Sequence, residues 1–276
     1  MSDVLGMWVD GIEGKTVPAD DRGLQYGDGL FETILVRKGI ARFLEAHLAR
    51  LERGLKQLEI PFDAWPELRA DIERAARQAP ALAILKLIVT RGSAQTRGYL
   101  PPKTARARRI VSLWATTPLS DDQRENGVLL GVARLRLPEP SPFAGLKHLN
   151  RLENVMAAAE AHAPALELLL LSSRERLVSC VAHNVFLVKA GELLTPPVDR
   201  AGVAGVMRQI VLREAPSLGI PARERELGLA ELFAADAMFI TNARIGVVPV
   251  RRVGEHVFAM SEIVQRLRTT IEALDA

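Results

Sequence analysis

Lysine is scarce in this chain of 276 residues: seven lysines stand against twenty-nine arginines. A lysine inside an apolar run therefore needs an explanation, and two qualify. Lys86 sits in Leu82-Ala83-Ile84-Leu85-Lys86-Leu87-Ile88-Val89, where alternation allows either face. Lys147 sits in Ala144-Gly145-Leu146-Lys147-His148-Leu149-Asn150, between a short apolar segment and a helix start. An ammonium withdrawn from water loses charge stabilisation, its pKa falls, and the neutral amine can attack an aldehyde. Residue type alone leaves both lysines open as solvent-facing edge residues. A second signal is anion binding. Gly202-Val203-Ala204-Gly205-Val206-Met207-Arg208-Gln209 puts glycine ahead of a predicted helix, whose free backbone N–H groups and positive dipole end suit a phosphate. Arg50, on a helix of the first half, is a charge-assisted partner for the same anion.

These residues need elements to hold them. The first 115 residues read as a mixed α/β unit. Met7-Trp8-Val9 and Thr33-Ile34-Leu35-Val36 have strand composition, joined through a glycine-rich turn region at Gly27-Asp28-Gly29. Leu48, Leu51, Leu55 and Leu58 recur at helical spacing over Glu45 to Leu58. Trp65-Pro66 opens a second helix running to Gln78, with proline in its first turn. Strands are expected over Leu82 to Thr90 and Arg109 to Ala115. The polar stretch Thr116-Thr117-Pro118-Leu119-Ser120-Asp121-Asp122 reads as part of a linker, residues 116–124. A larger α/β domain over residues 125–276 then carries Lys147. Its expected strands are Val128 to Leu135, Leu166 to Leu171, Val185 to Val188 and Ala237 to Ile240. Its expected helices are Leu149 to Ala161, Val206 to Ala215 and one beginning at Ser261. Two α/β domains with a site in the cleft between them is the architecture this pattern predicts.

Bulk composition narrows the function classes. Hydrophobic residues make up 48% of the chain, enough for a full core, and formal net charge is only +3 despite a pI of about 9.2. The densest basic run, Arg106-Ala107-Arg108-Arg109, leads into the apolar strand Ile110 to Trp114, so no nucleic-acid surface is expected. Cys180 is the only cysteine, which excludes an intramolecular disulfide and a cysteine-based metal cluster and suits a reducing compartment. No metal site is expected. The start, Met1-Ser2-Asp3-Val4, lacks a basic region followed by a long apolar core, and no apolar run reaches membrane-spanning length. A cytoplasmic protein acting on a small molecule, without membrane contact, is the expectation.

The order of these pieces resembles a known family. Asp21-Arg22-Gly23-Leu24-Gln25-Tyr26-Gly27-Asp28-Gly29-Leu30-Phe31-Glu32-Thr33 resembles the opening motif of the fold-type IV pyridoxal-phosphate enzymes. That family contains branched-chain aminotransferases, D-amino acid aminotransferases and aminodeoxychorismate lyases. His47-Leu48-Ala49-Arg50-Leu51 is similar to its phosphate-binding motif, and Lys147-His148-Leu149-Asn150-Arg151-Leu152-Glu153 to its cofactor-lysine segment. Asn184-Val185-Phe186, Thr195-Pro196-Pro197, Gly202 to Arg208 and Val248-Pro249-Val250 follow in the family's order. The resemblance implies pyridoxal 5'-phosphate held by Lys147, with its phosphate on Arg50, Val206, Met207, Asn242 and Ala243. It also implies a homodimer with sites near the subunit interface.

Two features resemble the lyase members, which convert 4-amino-4-deoxychorismate to 4-aminobenzoate and pyruvate for folate biosynthesis. Thr33 stands where those members carry a hydroxyl for proton handling. Arg91-Gly92 and Arg97-Gly98-Tyr99 match their two arginine–glycine pairs, implying that Arg97, with Tyr99 and Tyr26, binds substrate carboxylate. One position departs from the family. Five residues before Asn184, where the family has a glutamate for the pyridine nitrogen, this chain has Ser179, and Glu175 is the nearest acid. A hydroxyl makes the cofactor a weaker electron sink, which aromatising lyase chemistry tolerates better than transamination. The alternatives are a D-amino acid or branched-chain aminotransferase and, more remotely, a cofactor-binding protein without catalysis.

Overall fold

Residues 3–94, 97–102 and 105–274 are described by a computed structural model. They fall into two units, Met1–Thr117 with Lys147–Asn150, and Pro118–Leu146 with Arg151–Ala276.

The first unit is built on strands β1 (Val4–Val9), β2 (Ile12–Glu13), β3 (Gly29–Arg37), β4 (Ile40–Ala41), β5 (Leu82–Thr90) and β6 (Arg108–Ala115), in the order β2-β1-β6-β5-β3-β4. Its helices are α1 (Arg22–Tyr26), α2 (Leu44–Gln57) and α3 (Trp65–Arg77). Period-two alternation sorts the two faces of the sheet. Leu30, Glu32, Ile34, Leu85, Leu87, Val89 and Val111 are buried on one, the face on which α2 packs against β3 and α3 against β5 and β6. The helices present Leu48, Leu51 and Leu55, and Leu68, Ile72 and Ala75. The opposite face, with Phe31, Thr33, Ile84, Lys86, Ile88 and Trp114, is half-exposed.

The second unit holds α4 (Asp121–Asn126), β7 (Val128–Leu137), α5 (Leu152–Ala159), β8 (Glu167–Ser172), β9 (Leu177–Cys180), β10 (Asn184–Lys189), β11 (Glu192–Thr195), α6 (Val206–Glu214), β12 (Ala222–Glu224), α7 (Leu229–Phe233), β13 (Ala237–Asn242), β14 (Gly246–Val253), β15 (His256–Val257) and α8 (Glu262–Ala273). Its strands run β12-β11-β10-β13-β14-β7-β8-β9, with β15 beside β14. Every residue of β8 is buried, as expected of a strand covered on both faces. Leu169, Leu187, Met238, Ile240 and Val248 form one core, while Leu168 and Leu170 face Ala157 of α5 in another. Phe186 and Phe239, paired across β10 and β13, stack with centroids 4.8 Å apart.

Two expectations are corrected. The alanine-rich helix begins at Leu152, not Leu149, because residues 147–149 extend along β3 instead: Lys147 O accepts from Phe31 N at 3.0 Å, and Leu149 N donates to Gly29 O at 3.0 Å. The polar stretch after Thr116 is ordered at its end. There Ser120 caps α4, its hydroxyl accepting from Gln123 N and its own N–H donating to the Gln123 side chain, both at 3.2 Å. Among the described residues no helix is long and apolar enough to cross a membrane.

Candidate active site

In the first unit, Lys147 lies at the open edge of β3, and its Nζ stands 4.2 Å from the centre of the Phe31 ring. Phe31 and Thr33 are two apart in β3, so their side chains share one sheet face. The segment is pinned by Asn150, whose Nδ2 donates to Gly27 O at 3.1 Å. Gly27 closes α1 with φ 65°, and a Cβ there would collide with the Asn150 side chain, so the position needs glycine on both counts.

Glu32 points to the other face, and motif reading missed it. Its carboxylate takes Arg50 Nε at 2.8 Å and an Arg50 Nη, while His47 Nδ1 lies 2.6 Å away. All three side chains are buried. Burial pushes the Glu32 carboxyl up, but the Arg50 charge and the hydrogen bonds from His47 and Arg50 outweigh it and hold it at about 2. Burial depresses His47 against the pull of Glu32. A neutral His47 donating from Nδ1 presents Nε2 as an acceptor, which is buried without a partner among the described residues. Glu32 thus fixes the plane of the Arg50 guanidinium. The available signal was an acid at a buried strand position.

The two arginine–glycine pairs have different fates. Arg91 is buried and spent internally, donating to Asp28, Glu59 O and Leu58 O at 2.7–2.8 Å. Arg97 is exposed. Its loop is clamped by the buried Arg22, which donates to Asp28 at 2.8 Å, Gly98 O at 3.0 Å and Tyr99 O at 2.8 Å. Tyr99 lies against Tyr26, ring centres 5.5 Å apart.

In the second unit, Gly205 caps α6 without a side chain, so the first N–H groups of Val206 and Met207 have no side-chain partner at the cap. Both residues are buried. A Cβ on Gly205 would strike the Asn184 side chain, and Asn184 in turn donates to Val203 O at 3.0 Å. Asn184 pairs with Thr241, whose buried Oγ1 has no partner among the described residues. An uncapped helix start, a glycine cradle and an orphaned hydroxyl are a donor set that suits a phosphate. The Asn242 side chain is already engaged: Oδ1 accepts from Arg244 N and Ile245 N at 2.9 and 3.0 Å, shaping the turn that contains Ala243.

Ser179 is buried in β9 opposite Leu170. Glu175 lies in the turn before it, with its carboxylate on Arg136 at 2.7 and 3.0 Å and its side chain 63% exposed, so it does not replace the missing acid. The buried Glu167 does not either: it falls in the other alternation of β8, with Leu169, and is engaged by Ala182 N and His183. Among the described residues no group of three His, Cys, Asp or Glu is placed to hold a metal.

A mixed α/β fold with two sheets, a lysine set against the first strand motif and a helix start built for an anion define a class of enzyme. The chain belongs to the Amino-transferase class IV family, which matches residues 29–253. It is 34% identical over 244 residues to the aminodeoxychorismate lyase of Vibrio harveyi, covering 88% of this chain and 89% of the relative. It is 43% identical to the solved 4-amino-4-deoxychorismate lyase of Pseudomonas aeruginosa, with a TM-score of 0.91 over 97% of this chain and 98% of that one. A D-alanine aminotransferase of Listeria monocytogenes is 28% identical over 246 residues, 87% of this chain and 83% of the relative.

Proposed function

We propose that this chain is a pyridoxal-phosphate-dependent lyase that converts 4-amino-4-deoxychorismate to 4-aminobenzoate and pyruvate. The observation that carries this reading is the Lys147 amine over Phe31, on the strand face that also bears the Thr33 hydroxyl, in a chain so similar to solved lyases. The cofactor, when bound, supplies an aldehyde carbon for amines and a ring that draws electrons from the substrate. Lys147 would be the residue that holds the cofactor, through its Nζ. The amine of Lys147 would also be the general base for the proton on the substrate ring carbon that bears the nitrogen. The proton that Lys147 has taken would go to the departing enolpyruvyl oxygen, directly or relayed through Thr33 Oγ1, and aromatisation of the product ring would drive the cleavage. On the first unit Arg50, oriented by Glu32, is the guanidinium that would meet a phosphate; on the second, the N–H groups of Val206, Met207 and Ala243 are the donors that would suit one, with Asn242 shaping the turn. Arg97 takes a substrate carboxylate beside Tyr99 and Tyr26.

The test is to follow 4-aminobenzoate fluorescence after mixing holoenzyme with 4-amino-4-deoxychorismate. Product at catalytic rates is expected, and none would overturn the reading. Similarity to the D-alanine aminotransferase supports a second reading, D-amino acid transamination. Incubation with D-alanine and 2-oxoglutarate discriminates: faster turnover there than with aminodeoxychorismate would favour the transaminase. The family's habit of pairing subunits supports a homodimer, and sedimentation at a single-chain mass would contradict it.

A further inference from the structure

Lys86 is the second lysine in an apolar strand, and the mechanism above does not use it. It lies directly opposite Thr33 of β3 and Ser112 of β6. Its side chain stands on the half-exposed sheet face, with Nζ 5.4 Å from the centre of the Phe31 ring. Lys147 Nζ approaches the same ring at 4.2 Å. Among the described residues no carboxylate comes within 4.0 Å of Lys86, whereas the surface lysine Lys189 pairs with Asp236. Ser112 gives Lys86 no side-chain partner: its hydroxyl contacts the Lys86 carbonyl at 3.4 Å and accepts from Trp114 Nε1 at 2.8 Å. A half-exposed ammonium with only a π-face beside it keeps donors available for an anion. With Lys147 taken up by the cofactor in the proposed holoenzyme, Lys86 is the ammonium left beside that ring to attract negative charge.

The lyase substrate is a dianion, with one carboxylate on the ring and one on the enolpyruvyl group. A simple amino acid has a single carboxylate at its reacting centre. We propose that Lys86 binds the enolpyruvyl carboxylate and so selects a dicarboxylate substrate, leaving the ring carboxylate to Arg97. The assignment follows from Thr33. Cross-strand neighbours have Cβ atoms about 5 Å apart, and a lysine reaches further from the sheet than a threonine. The enolpyruvyl carboxyl carbon is two bonds from the oxygen to which Thr33 would relay a proton, so a cation beside and beyond Thr33 meets it.

This inference rests on the lyase reading, and the test separates the two. Holoenzymes of wild type, Lys86→Gln and Lys86→Arg are compared after their cofactor content is matched by visible absorbance. Lys86→Gln should raise KM for aminodeoxychorismate about 10- to 100-fold, the range set by one charge-assisted hydrogen bond. Its kcat should change far less, and Lys86→Arg should recover most of the loss. Inhibition by pyruvate should weaken in parallel, while inhibition by 4-aminobenzoate, which keeps only the ring carboxylate, should not. An unchanged KM in an active Lys86→Gln enzyme overturns the inference alone. So does a loss of 4-aminobenzoate inhibition with pyruvate inhibition intact. A wild type that forms no 4-aminobenzoate overturns the parent reading, and Lys86 falls with it.

Discussion

Glu32 shows how much of the chemistry hangs on a side chain that touches neither substrate nor anion in this reading. Removing one partner of a buried ion pair strands the other, at about 3–5 kcal/mol, so Glu32→Ala should lower the urea midpoint and loosen Arg50. Arg50→Ala itself should weaken cofactor binding by roughly 2–3 kcal/mol and purify largely without its visible band. Retention of cofactor at wild-type affinity would place the phosphate elsewhere. The same cluster sets a pH dependence. Glu32 contributes its full stabilisation above its unfolded value of 4.5 and loses it as pH falls through about 2. Below 6.5 the unfolded chain protonates His47 while the folded one resists, so acid subtracts stability there too. Denaturation midpoints should therefore drop between neutral pH and about pH 5, and His47→Gln should flatten that first slope. A slope identical in the variant would acquit His47. Lys147 is tested by borohydride treatment of the holoenzyme, which should abolish the visible band and leave a pyridoxyl label on the peptide containing Lys147. A label on Lys86 would reverse the roles of the two lysines. Ser179→Glu should raise transamination with D-alanine, since a carboxylate favours a protonated ring nitrogen. A fully loaded variant with no such gain would show that Ser179 does not face that nitrogen.

Among the elements, those with a strong period were legible and those with a conflicting signal were not. The leucines at helical spacing marked α2, and the apolar alternation marked β5. The strand β14 was hidden because Pro249 breaks its composition. Pro249 is tolerated because the ladder to β7 begins only at Val250. α1 was hidden because a five-residue helix has no period to detect, and only its glycine stop at Gly27 shows. Motif order singled out Lys147, the start of α6 and the hydroxyl on β3 as candidates. Burial and pairing were not, so Glu32, Thr241 and the idle posture of Lys86 came only with the fold. Gly98 and Tyr99 make the same point: the buried Arg22 grips both of their carbonyls, a contact that no motif announces. Arg22→Ala should release Arg97 from its set position, raising KM several-fold while the visible band stays intact. Loss of the band as well would mean that α1 supports the whole site rather than the loop.

At the scale of the molecule, the first unit is closed by residues that the chain makes late. The N–H of Phe31 and the carbonyl of Gly29 are spent on Lys147 and Leu149, and the intervening residues 118–146 belong to the second unit. On a ribosome, β3 emerges long before its last neighbour exists. Until then it carries an open strand edge, the feature through which chains stick to one another. A fragment ending at Thr117 should therefore associate through that edge, which light scattering would register, and a fragment that stays monomeric would show the edge is otherwise protected. In the complete chain the residue that seals the edge is also the candidate carrier of the cofactor. With Lys147 as the carrier, loading with cofactor would follow the order of synthesis, because a nascent chain lacks that particular amine until its first sheet can be finished.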